Sequence, residues 1–471
     1  MPRDIFARKP VSAFTADLEE ASGRSLKRAL GPIDLTLLGI GGIIGTGIFV
    51  LTGVAARQDA GPAVVASFAL AGLVSALAAF CYAEFSTMLP ISGSAYSYSY
   101  ATLGELFAWI IGWDLVIEYA VAASTVASGW SGYFGKILGQ LGIHIPVAFS
   151  TGFLAGHGGG MNVPAFLIIL AVSSLLVIGV RESTTFNSII VVLKTAVILY
   201  VIAAGAGYVD ATNWNPFMPF GWHGVVAGAG LVFFAYIGFD GVTTAAEEAR
   251  NPERDMPIGI IGSLLICTAL YIAVAAVITG MVPLEKIDVT APLAQAFLDV
   301  GLNIGASLIS AGAIIGLTSV LLVLLYGQSR IFFAMSRDGL LPPMFARLHP
   351  RYRTPHLSTM LVGVLVAIVA AIFPLDELAR FVSIGTLAAF VMVSAGIIVL
   401  RRTEPDMHRP FRCPFVPALP IACILACLYL MIGLGLVTWL RLGIWMAIGL
   451  VIYFSYGSRH SRIGAAERAI G

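Results

Sequence analysis

Five glycines, Gly39, Gly41, Gly42, Gly45 and Gly47, crowd the first long apolar run of the chain, from Ile33 to Leu51. Glycine costs about 1 kcal/mol per residue in a helix interior, so this density predicts a helix that breaks. Inside a bilayer, broken backbone persists only where protein or a wet cavity satisfies its polar groups. A second interrupted stretch, Gly228-Ala229-Gly230-Leu231-Val232-Phe233-Phe234-Ala235-Tyr236-Ile237-Gly238-Phe239-Asp240-Gly241, lies in the sixth such run. Paired interruptions, one in each half of a chain, point to the binding site of a transporter.

Composition supports the membrane reading. The chain is 58% hydrophobic and 11% charged, with a mean hydropathy of +0.91, whereas soluble domains carry roughly 25% charged residues. A spanning helix needs about 20 apolar residues. Runs at 33–53, 62–88, 97–126, 163–180, 185–207, 222–246, 258–281, 300–333, 357–374, 382–400, 416–437 and 440–457 give twelve candidates and an all-α integral membrane architecture. The stretch with His144-Ile145-Pro146 and Gly156-His157-Gly158-Gly159-Gly160 reads as an external loop. An even number of spans puts both termini on one side. That side collects the N-terminal tail, Arg181, Arg250, Arg254, the arginines from Arg330 to Arg353 and from Arg401 to Arg412, and the C-terminal tail. The other side holds only Arg57, Lys136, Lys286, Arg380 and Arg441. The positive-inside rule makes both termini cytoplasmic in the cell membrane.

The first and sixth runs each open a set of five, which fits two five-helix repeats of opposite orientation. The division expected is a cytoplasmic tail over 1–31, a ten-helix transport core over 32–402, and two additional helices with a cytoplasmic tail over 403–471. The tail before the first run lacks the apolar core and cleavage site of a signal peptide. No basic block suits nucleic acid, and the net charge is only +1. The five cysteines, Cys81, Cys267, Cys413, Cys423 and Cys427, suggest neither a disulfide nor a metal site. All seven histidines fall in loops, tails or helix ends, with no HExxH and no P-loop. No cofactor or metal is expected, and both a metalloprotease and an ATP-driven pump are disfavoured.

A charge at the bilayer centre costs about 2.5–3.5 kcal/mol on insertion scales, so the few that occur direct attention. Lys194 sits in the middle of Phe186–Tyr200, either as a proton carrier or fixed cation, or as a structural donor to broken-helix carbonyls. Asp114 and Glu118 are four apart and share a helix face; mutual repulsion favours keeping one neutral. Glu118, the deeper, is the candidate for substrate binding and proton exchange, and Asp114 is expected to serve at an interface or as a cap. Glu84 is expected to pair with an arginine at the cytoplasmic rim, and Asp240 to cap a half-helix or join a gate. A half-helix starting near Gly45-Thr46-Gly47 offers amides and a positive dipole end to an anion. Carbonyls near Phe234, Ala235 and Ile237 offer acceptors to a cation. One ligand satisfies both, an amino acid. Close helix packing is the competing explanation of the glycines.

These residues resemble the amino acid–polyamine–organocation superfamily, and most closely its cationic amino acid transporter family. The matching stretches are Gly39 to Phe49, Tyr82-Ala83-Glu84-Phe85, Pro90-Ile91-Ser92-Gly93-Ser94-Ala95-Tyr96, Phe233 to Asp240, Glu247 to Ile258, and Ser336-Arg337-Asp338-Gly339-Leu340-Leu341-Pro342. The resemblance implies a leucine-transporter fold with twelve helices. It implies a substrate carboxylate at Thr46 and Gly47 with Ile43 near, and an ammonium at the carbonyls of Phe234, Ala235 and Ile237. Glu118 matches the family's acidic residue beside the substrate. Lys194 matches the lysine that stands where relatives hold sodium, which implies proton coupling or sodium independence. Gly45, Asp240, Thr318, Ser319 and Leu324 would form the gate or surrounding shell, with Leu325 beside the side-chain pocket. No carboxylate beyond Glu118 awaits a basic side chain, so small neutral substrates such as alanine stand beside cationic ones. The expected function is proton-coupled amino acid uptake by alternating access. Its rivals are a facilitator or exchanger without proton coupling, and an amino-acid-gated channel or sensor.

Overall fold

The computed structural model describes residues 6–8, 29–88, 94–156, 158–179, 184–352 and 354–462. Lys27-Arg28, Pro90 to Gly93, His157, Arg181 and the tail beyond 462 lie outside the described residues. The described chain is all-α, with only two isolated bridges, Leu30 with Ala249 and Gly152 with Gly160.

Among the described residues, twelve segments cross the bundle. Segment one is split into Pro32–Ile43 and a second half that runs on to Ala60. Segments two to five are Val64–Met88, Glu105–Gln140, Val163–Ile178 and Thr184–Gly205. Segment six starts as Gly221–Val232, and segments seven and eight are Pro252–Met281 and Asn303–Arg337. Segments nine to twelve are His356–Ile372, Leu375–Thr403, Ala418–Gly433 and Leu436–Ile452. Several expected boundaries move. Segment three begins at Glu105 rather than 97, because Ser94–Thr102 is a separate short helix and Gly104 turns the chain at φ +95°. Segments seven and ten start well before their apolar runs, since polar first turns such as Asp376-Glu377 are still helical.

Burial separates the centre from the rim. In segment six 78% of the apolar window is buried, against 22% in segment twelve. Segment twelve shows Leu436, Leu440, Ile444, Ile448 and Val451 outward at helical spacing, a stripe that lipid covers. Segment six, and segment one from Ile43 to Ala56, run through the protein interior, where irregular backbone is tolerated.

Ion pairs pin both ends. On the side of the termini, Glu84 takes Arg401 at 2.9 and 2.8 Å and the Cys413 amide at 2.6 Å, with Arg409 Nε 3.4 Å away. The arginine expected for Glu84 is thus present. Glu84→Ala leaves the buried Arg409 without its counter-charge, and breaking a buried pair costs about 3–5 kcal/mol. A clear fall in melting temperature in detergent is the expected result. On the opposite side, Asp59 holds Arg380 at 2.8 and 2.7 Å, and Lys136 holds Asp288 at 2.9 Å. Burial pushes the Asp288 carboxyl up, but Lys136, the Thr290 hydroxyl and the Ala291 amide hold it below the usual range. Its contribution is therefore present at neutral pH and lost only as pH falls through that lowered value.

Candidate functional site

Segment one stops being helical after Ile43: Ile44 turns extended at φ −72° and ψ 101°. Helix resumes from Thr46 through a π turn, Gly47–Leu51. In segment six, Gly228 and Gly230 do not break the helix; a Cβ there would strike Ser67 and Leu434, so they serve packing. The break comes later. A 3-10 turn, Phe233–Tyr236, ends at Ile237 in extended backbone (ψ 134°). Gly238 follows at φ +117°, a conformation that favours glycine. The 3-10 run Asp240–Glu248 completes the segment.

The two breaks touch. A Cβ on Gly47 would stand 2.3 Å from Ala235 Cα, and one on Gly238 would stand 2.6 Å from the carbonyl carbon of Gly42. Close packing and broken backbone thus coincide at these glycines. Ile43, Thr46, Gly47, Phe234 and Ala235 are buried, and Ile237 is half-buried. Tyr271 of segment seven joins the breaks, its hydroxyl 2.7 Å from Ile43 O and 3.1 Å from Ala235 O. A hydroxyl has one hydrogen, so it donates to one of these carbonyls at a time. Tyr271→Phe removes that donor, and an unsatisfied buried carbonyl costs about 1–3 kcal/mol. Lower thermal stability with a weakened uptake rate is expected, measured on the purified variant.

Lys194 lies across the first break. Its Nζ donates to Gly41 O at 2.7 Å and Ile44 O at 3.0 Å. It therefore caps the C-terminal end of the half-helix, where carbonyls lack partners and the dipole is negative. Gly316 of segment eight makes room, for a Cβ there would fall 2.7 Å from Lys194 Cδ.

Other expected residues spread around this centre. Gly45 is loosely packed; its Cβ would meet only Val320 methyls, at 3.5 and 3.7 Å. Thr318 is committed elsewhere, accepting from Trp130 Nε1 at 3.0 Å and donating to Ile314 O at 2.7 Å. Ser319 and Leu325 are buried, and Leu324 is half-buried. Asp240 Oδ1 accepts from the Gly238 amide at 3.2 Å, within the turn after the break. Glu118 is buried, and its Oε2 has no hydrogen-bond partner. Asp114 is completely buried in the interior of segment three, and neither of its oxygens has a partner. That corrects its expected role as a cap or interfacial group. Sequence reasoning missed Tyr271, Gly316 and the placement of Gly238. Only Gly238 had a local signal, as a glycine inside the interrupted stretch.

A helical bundle in which two members are interrupted against each other, with helix ends converging, defines a membrane carrier. The sequence profile of the family described as amino acid permease matches residues 30–455. The methylthioribose transporter of Bacillus subtilis is 52% identical over 457 residues, covering 97% of this chain and 98% of its own. The branched-chain amino acid permease BcaP of the same organism is 50% identical over 466 residues, covering 98% and 100%. Human cationic amino acid transporter 4 is 32% identical over 573 residues, covering 94% of this chain and 89% of its own. The chain belongs to the amino acid permease family. It is a multi-span membrane transporter and not an enzyme.

Proposed function

We propose that this protein carries amino acids into the cell in symport with protons, by alternating access around the paired breaks. The observation that carries the reading is the meeting of the two discontinuous helices at Gly47 and Ala235, with Lys194 on the carbonyls of Gly41 and Ile44. In this reading the substrate carboxylate takes the amides at Thr46 and Gly47. Its ammonium takes the carbonyls of Phe234 and Ile237, with Ala235 O released by Tyr271. The breaks part to admit it and close as they are here. The arginine-rich side that holds the termini is cytoplasmic. Segments one to ten would form the two repeats, and segments eleven and twelve an addition at the rim.

Lys194 stands where a metal cation would otherwise neutralise the half-helix end. A lysine in that place makes sodium unnecessary. Unlike a metal ion, a lysine in that place can gain and lose a proton, which supports a coupling role. For the substrate, the two Bacillus relatives are named for a branched-chain amino acid and for methylthioribose at nearly equal identity. The residues around the breaks decide better: Ile43, Phe234, Ile237 and Leu324 are apolar, which suits a neutral side chain.

The test is ligand-induced thermal stabilisation of the purified protein with leucine, alanine, arginine and methylthioribose. Stabilisation by the neutral amino acids supports the reading; stabilisation by methylthioribose alone overturns it. A second reading, exchange without proton coupling, draws on the two hydrogen bonds that fix Lys194 in place. It predicts uptake stimulated by internal substrate and indifferent to pH.

A further inference from the structure

Among the buried acids that the proposed coupling leaves unused is Asp114. Asp114 is 0% exposed, and both of its oxygens lack a partner. It lies one helical turn from Glu118, on the side nearer the termini. Segment ten approaches it through Gly385, where a Cβ would come within 2.9 Å of Asp114 Oδ1. From segment eight, Gln328 donates its Nε2 to Val116 O at 3.1 Å, which sets its amide beside the stretch between the two acids. Gln328 Oε1 is buried and also has no partner. Three side chains thus leave acceptor oxygens unanswered in one part of the bundle.

Among the described residues, no cation forms an ion pair or hydrogen bond with these oxygens. Glu118 and Tyr119 are the titratable neighbours on segment three, and Asp240 of segment six and Tyr82 of segment two act on Glu118 or lie near it. Segment ten has no titratable residue between Val382 and Phe390, and segment twelve has none between Leu442 and Ile452. The nearest arginine along segment eight, Arg330, is exposed and lies over the Tyr326 ring. Among the described residues, no group of three or more His, Cys, Asp or Glu converges as metal ligands. A carboxyl buried with no counter-charge and no hydrogen-bond donor on either oxygen is favoured in its neutral, protonated form.

We propose that Asp114 is a second proton-carrying carboxyl of the transport cycle, passing the coupled proton between Glu118 and the side of the termini. The transfer is balanced: the O–H bond of one carboxyl breaks as that of the other forms. Adjacent turns of one helix are within the reach of a rotamer change or one water. The inference rests on the proton-coupled reading above.

Two measurements separate its failure from the failure of that reading. The first is pH-difference infrared spectroscopy of the protein in lipid, comparing wild type with Asp114→Asn. Asparagine has the shape of the neutral acid, so the variant is expected to fold. Loss in the variant of a protonated-carboxyl carbonyl band is expected; an unchanged spectrum overturns the proposal. The second is uptake into proteoliposomes. One coupled proton sustains an about tenfold substrate ratio per unit of pH gradient. Asp114→Asn should bring that ratio to about 1 while substrate counterflow persists. Wild-type accumulation in the variant overturns the role of Asp114 alone. Uptake by the wild type that ignores pH overturns both readings.

Discussion

Gly47→Ala is expected to stop transport almost completely, although it adds one methyl group. The new Cβ would stand 2.3 Å from both Cα and Cβ of Ala235. That is backbone of the other broken helix, and it cannot turn away as a flexible side chain would. Overpacking of this kind costs about 1–3 kcal/mol. Here it also holds the two breaks apart, so the closed arrangement is lost. A penalty of 1.4 kcal/mol on that state alone lowers its population about tenfold. Gly45→Ala is the matched control: its Cβ meets only Val320 methyls at 3.5 Å or more, and near-normal uptake is expected. Equal activity of the two variants, measured as initial uptake rate at equal protein, would remove the close contact from the mechanism.

Lys194→Met is expected to abolish gradient-driven uptake and to lower stability. Methionine fills similar volume beside Gly316 but gives no donor to Gly41 O or Ile44 O. Each unsatisfied buried carbonyl costs about 1–3 kcal/mol. The half-helix end also loses the positive charge that opposes its dipole. The structural loss appears as a fall in melting temperature. The coupling loss appears separately, as uptake that no longer responds to a proton gradient. A variant that is less stable yet still accumulates substrate against its gradient would leave Lys194 a purely structural cap.

Much of this arrangement was legible in the chain itself. Glycine density marked the break in segment one, since no smooth apolar helix uses Gly41, Gly42, Gly45 and Gly47 together. Lys194 and Glu118 stood out because charge inside a bilayer is costly. What stayed hidden depends on neighbours distant in sequence. Tyr271 looks like any aromatic in an apolar helix until its hydroxyl is found between Ile43 O and Ala235 O. Gly316 has meaning only against Lys194, and Gly385 only against Asp114. In segment six, the density of Gly228 and Gly230 drew attention to a stretch that remains helical. Gly238 carries the left-handed backbone on its own. Asp114 was misjudged because its complete burial comes from neighbours distant in sequence, with segment ten packing Gly385 against its carboxyl.

The most direct test of the proposed mechanism is leucine and alanine uptake into sodium-free proteoliposomes under an inward proton gradient. The account predicts accumulation above the external concentration, collapsing to equilibrium when a proton ionophore is added. Uptake that reaches only equilibrium, with or without the gradient, would contradict it.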